Sequence, residues 1–190
     1  MEIKVAKTAG FCFGVNRAVE LTYGLLAEGR RVATLGPLIH NPQAVDDMQA
    51  KGAFVADSVP QVPDGYEVVI RSHGVPRSVY DELEVRGIAY HDATCPFVQK
   101  IQRIAAQAEK EGAVLLVAGD KTHPEVQGIV GHTRGEVFVF ADLDELKAWK
   151  GPSDPQKPLF AVAQTTFQVT KWKESSEFLK KAYTNARIFD

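Results

Sequence analysis

Cysteine is scarce in this chain: Cys12 and Cys95 are the only two in 190 residues. Two thiols cannot build a disulfide framework, and by themselves they are too few for a four-thiolate zinc or iron–sulfur site. An excess of charge of one sign is also lacking. Twenty-two Lys and Arg stand against 24 Asp and Glu, net −2, so no general attraction to nucleic acid or to an anionic membrane is expected. No apolar run approaches the roughly 20 residues of a membrane-spanning helix. Neither a Walker sequence nor Gly-x-Gly-x-x-Gly occurs, which leaves nucleotide binding by those routes unsupported. The opening residues Met1-Glu2-Ile3-Lys4-Val5 read as a strand and not as a signal or transit peptide. These absences lead to the expectation of a cytoplasmic protein, a compartment where thiols serve metals or catalysis more often than disulfides.

What is present is a globular composition, 45% hydrophobic and 24% charged, and an internal repeat. His40 stands as far beyond Cys12 as His123 stands beyond Cys95. Two pairs of glycines keep the same matched spacing, Gly29 with Gly112 and Gly36 with Gly119. The shift that lays Cys12 on Cys95 also lays Val15 on Val98, Arg17 on Lys100 and Glu28 on Glu111. A duplicated unit that places one Cys and one His at equivalent points is expected to bring its cysteines to one site.

Short β-branched runs alternate with amphipathic stretches. Strands are expected over 3–6, 31–35, 67–70, 114–118, 137–140 and 159–163, with weaker ones over 53–55 and 89–91. Helices are expected over 15–28, 42–51, 77–86, 97–111, 125–132, 143–149 and 169–182. Strands separated by helices of this length point to βαβ units and parallel sheets. The fold class expected is therefore α/β: two similar small domains, each a parallel sheet flanked by helices. The polar stretch over 150–158 is the loop that makes the second half of the later repeat longer than that of the earlier one. The boundaries expected are 1–13 for an N-terminal strand and first cysteine loop, 14–96 and 97–185 for the two repeats, and 186–190 for the opening of a third unit.

Ligands of parallel α/β sheets bind at the carboxyl ends of the strands, and the polar candidates Cys12, His40, His73, Cys95, His123, Gln164 and Thr165 all fall there. Cys12 lies in the glycine-flanked turn Gly10-Phe11-Cys12-Phe13-Gly14 and Cys95 just before Pro96, each at the start of a helix. Such positions favour the thiolate form that binds metal. Buried structural thiols and a disulfide are the alternatives, and the matched placement favours ligands. His40, His73 and His123 suit an anionic ligand, with helix N-terminal amides adding positive potential for phosphate; capping or surface duty is the alternative. Glu125 could donate protons or complement a helix dipole. Thr165 could orient a substrate or cap the following helix.

These residues carry a family resemblance. The run from Gly10 to Val19 (Gly-Phe-Cys-Phe-Gly-Val-Asn-Arg-Ala-Val) resembles the N-terminal signature of the 4-hydroxy-3-methylbut-2-enyl diphosphate reductase family, also called LytB. Leu38-Ile39-His40-Asn41-Pro42, Arg71-Ser72-His73-Gly74-Val75, Asp92-Ala93-Thr94-Cys95-Pro96, His123-Pro124-Glu125-Val126 and Gln164-Thr165-Thr166 are similar to its next motifs, in order. The resemblance implies a reductase of the non-mevalonate isoprenoid pathway. It removes the allylic hydroxyl of its substrate with two electrons and two protons, giving isopentenyl and dimethylallyl diphosphates. It implies three similar α/β domains in a trefoil-like arrangement around a 4Fe–4S cluster held by three cysteines, and a ferredoxin or flavodoxin as electron donor. Cys12 and Cys95 would be two cluster ligands. His40, His73 and His123 would bind the diphosphate, Glu125 would supply protons, Thr165 would hold the hydroxyl, and Gln164 would lie nearby. The third ligand is absent from the chain, which is expected to be the N-terminal two-thirds of such an enzyme and inactive alone. The alternatives are a two-domain diphosphate-binding fragment without a stable cluster, and a zinc or thiol-redox protein using the same cysteines.

Overall fold

A run such as Val114-Leu115-Leu116-Val117-Ala118 is stable as a strand only where both of its faces are covered. In the computed structural model, which describes Lys4 and residues 9–189, all five of these residues are fully buried. The elements in chain order are α1 (Phe13–Ala27), β1 (Val32–Leu35), α2 (Pro42–Ala50), β2 (Phe54–Ala56), a 3-10 turn (Val59–Gln61), β3 (Glu67–Ile70), α3 (Arg77–Val85) and β4 (Tyr90–Asp92). They continue as α4 (Pro96–Lys110), β5 (Val114–Ala118), α5 (Pro124–Val130), β6 (Val137–Phe140), α6 (Leu143–Ala148), β7 (Leu159–Ala163), α7 (Val169–Ala182) and β8 (Ala186–Ile188). The strand expected over 3–6 lies, save for Lys4, outside the described residues.

The chain divides into two compact units, one of residues 1–72 and 83–95, the other of residues 73–82 and 96–190. The first holds a four-stranded sheet in the order β2-β1-β3-β4 and the second a four-stranded sheet in the order β6-β5-β7-β8. Every pairing is parallel. The two orders are the same with the strand numbers raised by four, so the duplication read from the cysteine spacing extends to topology.

The repeat holds at single hydrogen bonds. Gly29 (φ 75°) and Gly112 (φ 65°) end α1 and α4 in the left-handed region that favours glycine. Beyond them Arg30 N–H donates to Leu25 O and Ala113 N–H to Ala108 O, the same closure at equivalent positions of the two units. Gly36 N–H donates to Ala56 O and Gly119 N–H to Phe140 O, which stitches each first strand to its neighbour in the same way.

In the second unit the two faces of β5 and β7 serve separate cores. Leu115, Val117, Phe160 and Val162 pack with Ile104, Ala105, Ala108, Val126 and Ile129 of α4 and α5. Val114, Leu116, Ala118, Leu159 and Ala161 pack with Leu146 and Leu179 of α6 and α7. The first unit gathers Ala18, Val19 and Leu25 of α1 with Val32, Val69 and Met48.

Two boundaries differ from the sequence reading. Residues 186–188, read as the opening of a third unit, pair in parallel with β7 from Leu159↔Ala186 to Ala161↔Ile188 and complete the second sheet. Residues 73–82 pack with the second unit. Gly131 makes this possible: a Cβ there would lie 2.4 Å from Pro76 Cβ. Arg77 N–H also donates to Gly131 O, and a His132 ring nitrogen lies 3.1 Å from Val75 O.

Phe160 is fully buried in β7 with its ring 5.0 Å from that of Phe189. Phe160→Ala is expected to cost about 3–5 kcal/mol, seen as a lower urea midpoint at unchanged slope. At the opposite end of the first sheet, Glu67 Oε2 lies 2.7 Å from His91 Nε2, and both Glu67 oxygens accept from Arg30. These partners, His91 first, hold the Glu67 carboxyl below its ordinary value of 4.5. The stability it contributes is therefore present above the unfolded value and lost as pH falls through the lower folded value. Glu67→Gln is expected to cost about 0.5–1 kcal/mol at neutral pH. The difference from the parent should shrink in melting curves recorded below about pH 4.5.

Candidate active site

Cys12 is the N-cap of α1, exposed, and its side chain makes no capping bond. Two phenyl rings flank it, Phe11 and Phe13, at 44% and 68% exposure. Cys95 follows β4 and is half-buried. Its N–H donates to Ser72 O, and Arg17, one turn into α1, donates to the carbonyls of Thr94 (3.0 Å) and Asp92 (3.2 Å) just before it. The decisive feature is Gly14. A Cβ on it would lie 2.7 Å from Cys95 Sγ and 2.9 Å from Cys95 Cβ, so only glycine in the first turn of α1 leaves room for that thiol. The structure thus brings Cys95 to the helix end that Cys12 caps. Two unbridged thiols at one helix N-terminus, the donor chemistry of iron–sulfur sites, fit as two ligands of a cluster.

The histidines occupy strand ends as expected. His40 lies in the first unit, exposed, in the loop between β1 and α2. His73 and His123 belong to the second unit and meet edge to face, ring centroids 5.3 Å apart. Gly128 helps to seat His73: a Cβ there would lie 3.4 Å from His73 O. The repeats diverge here by one residue. His123 is itself the N-cap of α5 and accepts Glu125 N–H on Nδ1 (3.1 Å), whereas Asn41 caps α2 by accepting from Ala44 N–H (3.0 Å). Because Nδ1 accepts, a neutral His123 carries its proton on Nε2 and presents a donor there. The same bond occupies one of the helix amides expected to face phosphate.

Glu125 and Thr165 form a doubly bonded polar pair in the second unit. Glu125 stands in the first turn of α5 at 2% exposure. Its Oε1 accepts Thr165 N–H at 2.6 Å and its Oε2 accepts the Thr165 hydroxyl at 2.7 Å. Thr165 is exposed, so the pair joins a buried carboxylate to a residue at the surface. The capping alternative for Thr165 does not hold, since Gln168 is the N-cap of α7. Gln164 is buried, accepts Asp120 N–H on Oε1 (3.2 Å) and donates to Thr166 Oγ1 (2.9 Å). A Cβ on Gly119 would lie 2.9 Å from Gln164 Oε1 and 2.8 Å from Val126 Cγ2. The strand-end glycine therefore opens the space that Gln164 fills.

Gln164 and Thr165 also line a groove of about 960 Å³ walled by α4 and α7, with Phe97, Ile101, Trp172 and Phe189 among its apolar members. Asp120 is a site residue that the sequence reading does not single out. Its carboxyl accepts from Thr122 N–H and Oγ1, which hold it below the ordinary carboxylate range and fix the loop that ends at His123. The Asp-x-Thr spacing of an Asx turn is the available signal. Arg17 and Gly14 read from the sequence only as a repeat marker and a turn residue, because their roles depend on a partner far along the chain.

A family profile described as LytB protein matches residues 3–190. A Syntrophotalea carbinolica protein named 4-hydroxy-3-methylbut-2-enyl diphosphate reductase is 40% identical over 191 residues, covering 100% of this chain and 67% of its own length. A protein of the same name from Thermoanaerobacter sp. (strain X514) is 38% identical over 184 residues, covering 95% of this chain. The chain spans 62% of the length of that relative. Among solved structures, the chain is similar to an (E)-4-hydroxy-3-methyl-but-2-enyl diphosphate reductase described as the terminal enzyme of the non-mevalonate pathway. The TM-score is 0.83 at 35% identity, over 98% of this chain and 66% of that one. The corresponding Plasmodium falciparum reductase, at 24% identity, shares the fold with a TM-score of 0.86, over 96% of this chain and 57% of that one. Among the described residues no helix is long and apolar enough to cross a membrane.

The Gly14 contact is open to test. Gly14→Ala is expected to push Cys95 aside and to cost about 1–3 kcal/mol as an overpacking change. Thiol-reagent kinetics on the metal-free, reduced protein should show Cys12 reacting before Cys95 in the parent and Cys95 accelerated in the variant. Unchanged Cys95 kinetics would remove Gly14 from the account of this site.

Proposed function

This chain belongs to the LytB family, and on that premise we propose that it forms part of a 4-hydroxy-3-methylbut-2-enyl diphosphate reductase. Such an enzyme removes the allylic hydroxyl of its substrate and yields isopentenyl and dimethylallyl diphosphates in the non-mevalonate route to isoprenoids. The observation that carries the reading is the Glu125–Thr165 pair, a buried carboxylate bonded to the hydroxyl of an exposed threonine at a strand end.

Cys12 and Cys95 would hold two corners of a 4Fe–4S cluster. With two cysteines in residues 1–190, a third thiolate for such a cluster would be supplied from outside these residues. When bound, the cluster supplies the two electrons that the reduction consumes, delivered by a ferredoxin- or flavodoxin-type donor in the cytoplasm. No nucleic acid takes part in this reading.

The protein groups hold the substrate and handle protons. His40, His73 and His123 would bind the diphosphate, His123 by its Nε2–H. Thr165 Oγ1 would hold the substrate hydroxyl while remaining bonded to Glu125. Loss of that hydroxyl as water needs a proton at its oxygen, and Glu125 would supply it through the Thr165 hydroxyl. Gln164 would keep the loop in register through Asp120 N–H and Thr166.

Glu125→Gln in the cluster-loaded full-length protein is expected to lower kcat by about 10²–10⁴-fold, the usual share of a general acid. KM should stay near its parent value, since the glutamine keeps the acceptor for Thr165. Thr165→Ser should retain most turnover and Thr165→Val should lose it. Anaerobic turnover with a chemically reduced donor checks this. Parent-like kcat in Glu125→Gln would refute the proton role.

A further inference from the structure

Arg71 follows β3 at the carboxyl edge of the first sheet, and its Nε is buried with no hydrogen-bond partner. Among the described residues no carboxylate pairs with it, and burial alone pulls the guanidinium below its ordinary range. A partly desolvated cation without a counter-ion is costly and is retained where an anion completes it. Loop packing also leaves room for it. Gly36 (φ 70°) follows β1, and a Cβ there would lie 3.2 Å from Arg71 Nη1. The same loop carries His40, a few positions on.

The duplication gives a second, independent argument. Thr34 of β1 pairs with Val69, and Val117, the equivalent residue of β5, pairs with Val162. By that register Arg71 corresponds to Gln164, each the second residue beyond its paired position. The contacts agree: Gln164 Oε1 occupies the space over Gly119, and Arg71 Nη1 occupies the space over Gly36, the equivalent glycine of the first unit. One of these equivalent residues is a polar member of the proposed substrate site.

We propose that Arg71 is an anion-binding residue of the first unit, its guanidinium completed by the diphosphate of the substrate beside the loop that carries His40. The inference rests on the diphosphate reading above and adds a ligand to it. Arginine suits the task because its planar fork offers paired donors to phosphate oxygens and stays charged when partly buried. In the free protein the unmet donor is a local cost, so removing the charge should not weaken the fold.

The test uses the cluster-loaded full-length protein, with inorganic pyrophosphate as probe in calorimetry alongside steady-state kinetics. Arg71→Met should weaken pyrophosphate binding about 10–100-fold, the scale of a lost charge-assisted bond. KM should rise by a similar factor, kcat should stay close to that of the parent, and the melting temperature should be unchanged or higher. Arg71→Lys should lose less. Gly36→Ala, which displaces Nη1 without touching its charge, should weaken pyrophosphate as well and serves if Arg71→Met fails to fold. Parent-like pyrophosphate affinity in both Arg71→Met and Gly36→Ala overturns the assignment and leaves the reductase reading standing. A melting temperature that falls while affinity holds also overturns it, since Arg71 is then structural. A parent protein that binds neither pyrophosphate nor substrate overturns the diphosphate reading, and this inference with it.

Discussion

Because β1 pairs with β3 and β5 with β7 in parallel, both strands of each pair end at the same edge of their sheet, and the loops leaving them are forced together. Nearly everything of chemical interest follows from that constraint. In the first unit the loop after β1 carries Gly36 and His40, the residue after β3 is Arg71, and the turn after β4 delivers Cys95 to the start of α1. In the second unit the loop after β5 ends in His123 and Glu125, and the end of β7 brings Thr165 to the Glu125 carboxylate. The pairing is held by strands buried on both faces. The site geometry therefore draws its rigidity from apolar burial and not from the polar groups themselves.

Small residues decide which side chains can use these edges. Gly14 leaves space for the Cys95 thiol, Gly119 for Gln164 and Gly36 for Arg71. Each is a place where the backbone of one element gives way to the side chain of another. The repeats diverge in what fills these spaces. A guanidinium stands in one repeat where an amide stands in the other. The matched histidine is the cap in one and precedes the cap in the other. Duplicated backbones with exchanged side chains let one architecture present two thiols and a cation in one unit and a carboxylate–hydroxyl pair in the other.

The fold was legible in the sequence because its signals are local. Short apolar runs, glycine after each long helix and the matched spacing of Cys, Gly and His point to the parallel units, and the expected helices and strands within the described residues recur with ends shifted by at most a residue or two. What the sequence did not reveal depends on distant partners. Residues 73–82 read as part of the first repeat, yet Gly131 and His132, far downstream, draw them into the second unit. Residues 186–188 looked like a new beginning because nothing local tells a last strand from a first one; pairing with β7 decides it. The cysteine and histidine candidates were legible from spacing. The Glu125–Thr165 bond was not, since a long stretch of chain and a sheet crossover separate the two.

On the proposed reading, that bond also gives a buried carboxylate a route for protons. Glu125 has two acceptor oxygens and two donors, both from Thr165. The backbone N–H on Oε1 is fixed in direction and cannot accept a proton. The hydroxyl on Oε2 can rotate: it donates to a carboxylate and accepts from a carboxylic acid. Proton traffic on that reading would therefore run through Oε2 and the Thr165 hydroxyl. On the proposed reading, a substrate hydroxyl bound to Thr165 would receive its proton along that line. A serine in place of Thr165 would preserve the route, whereas valine would keep the shape and close it.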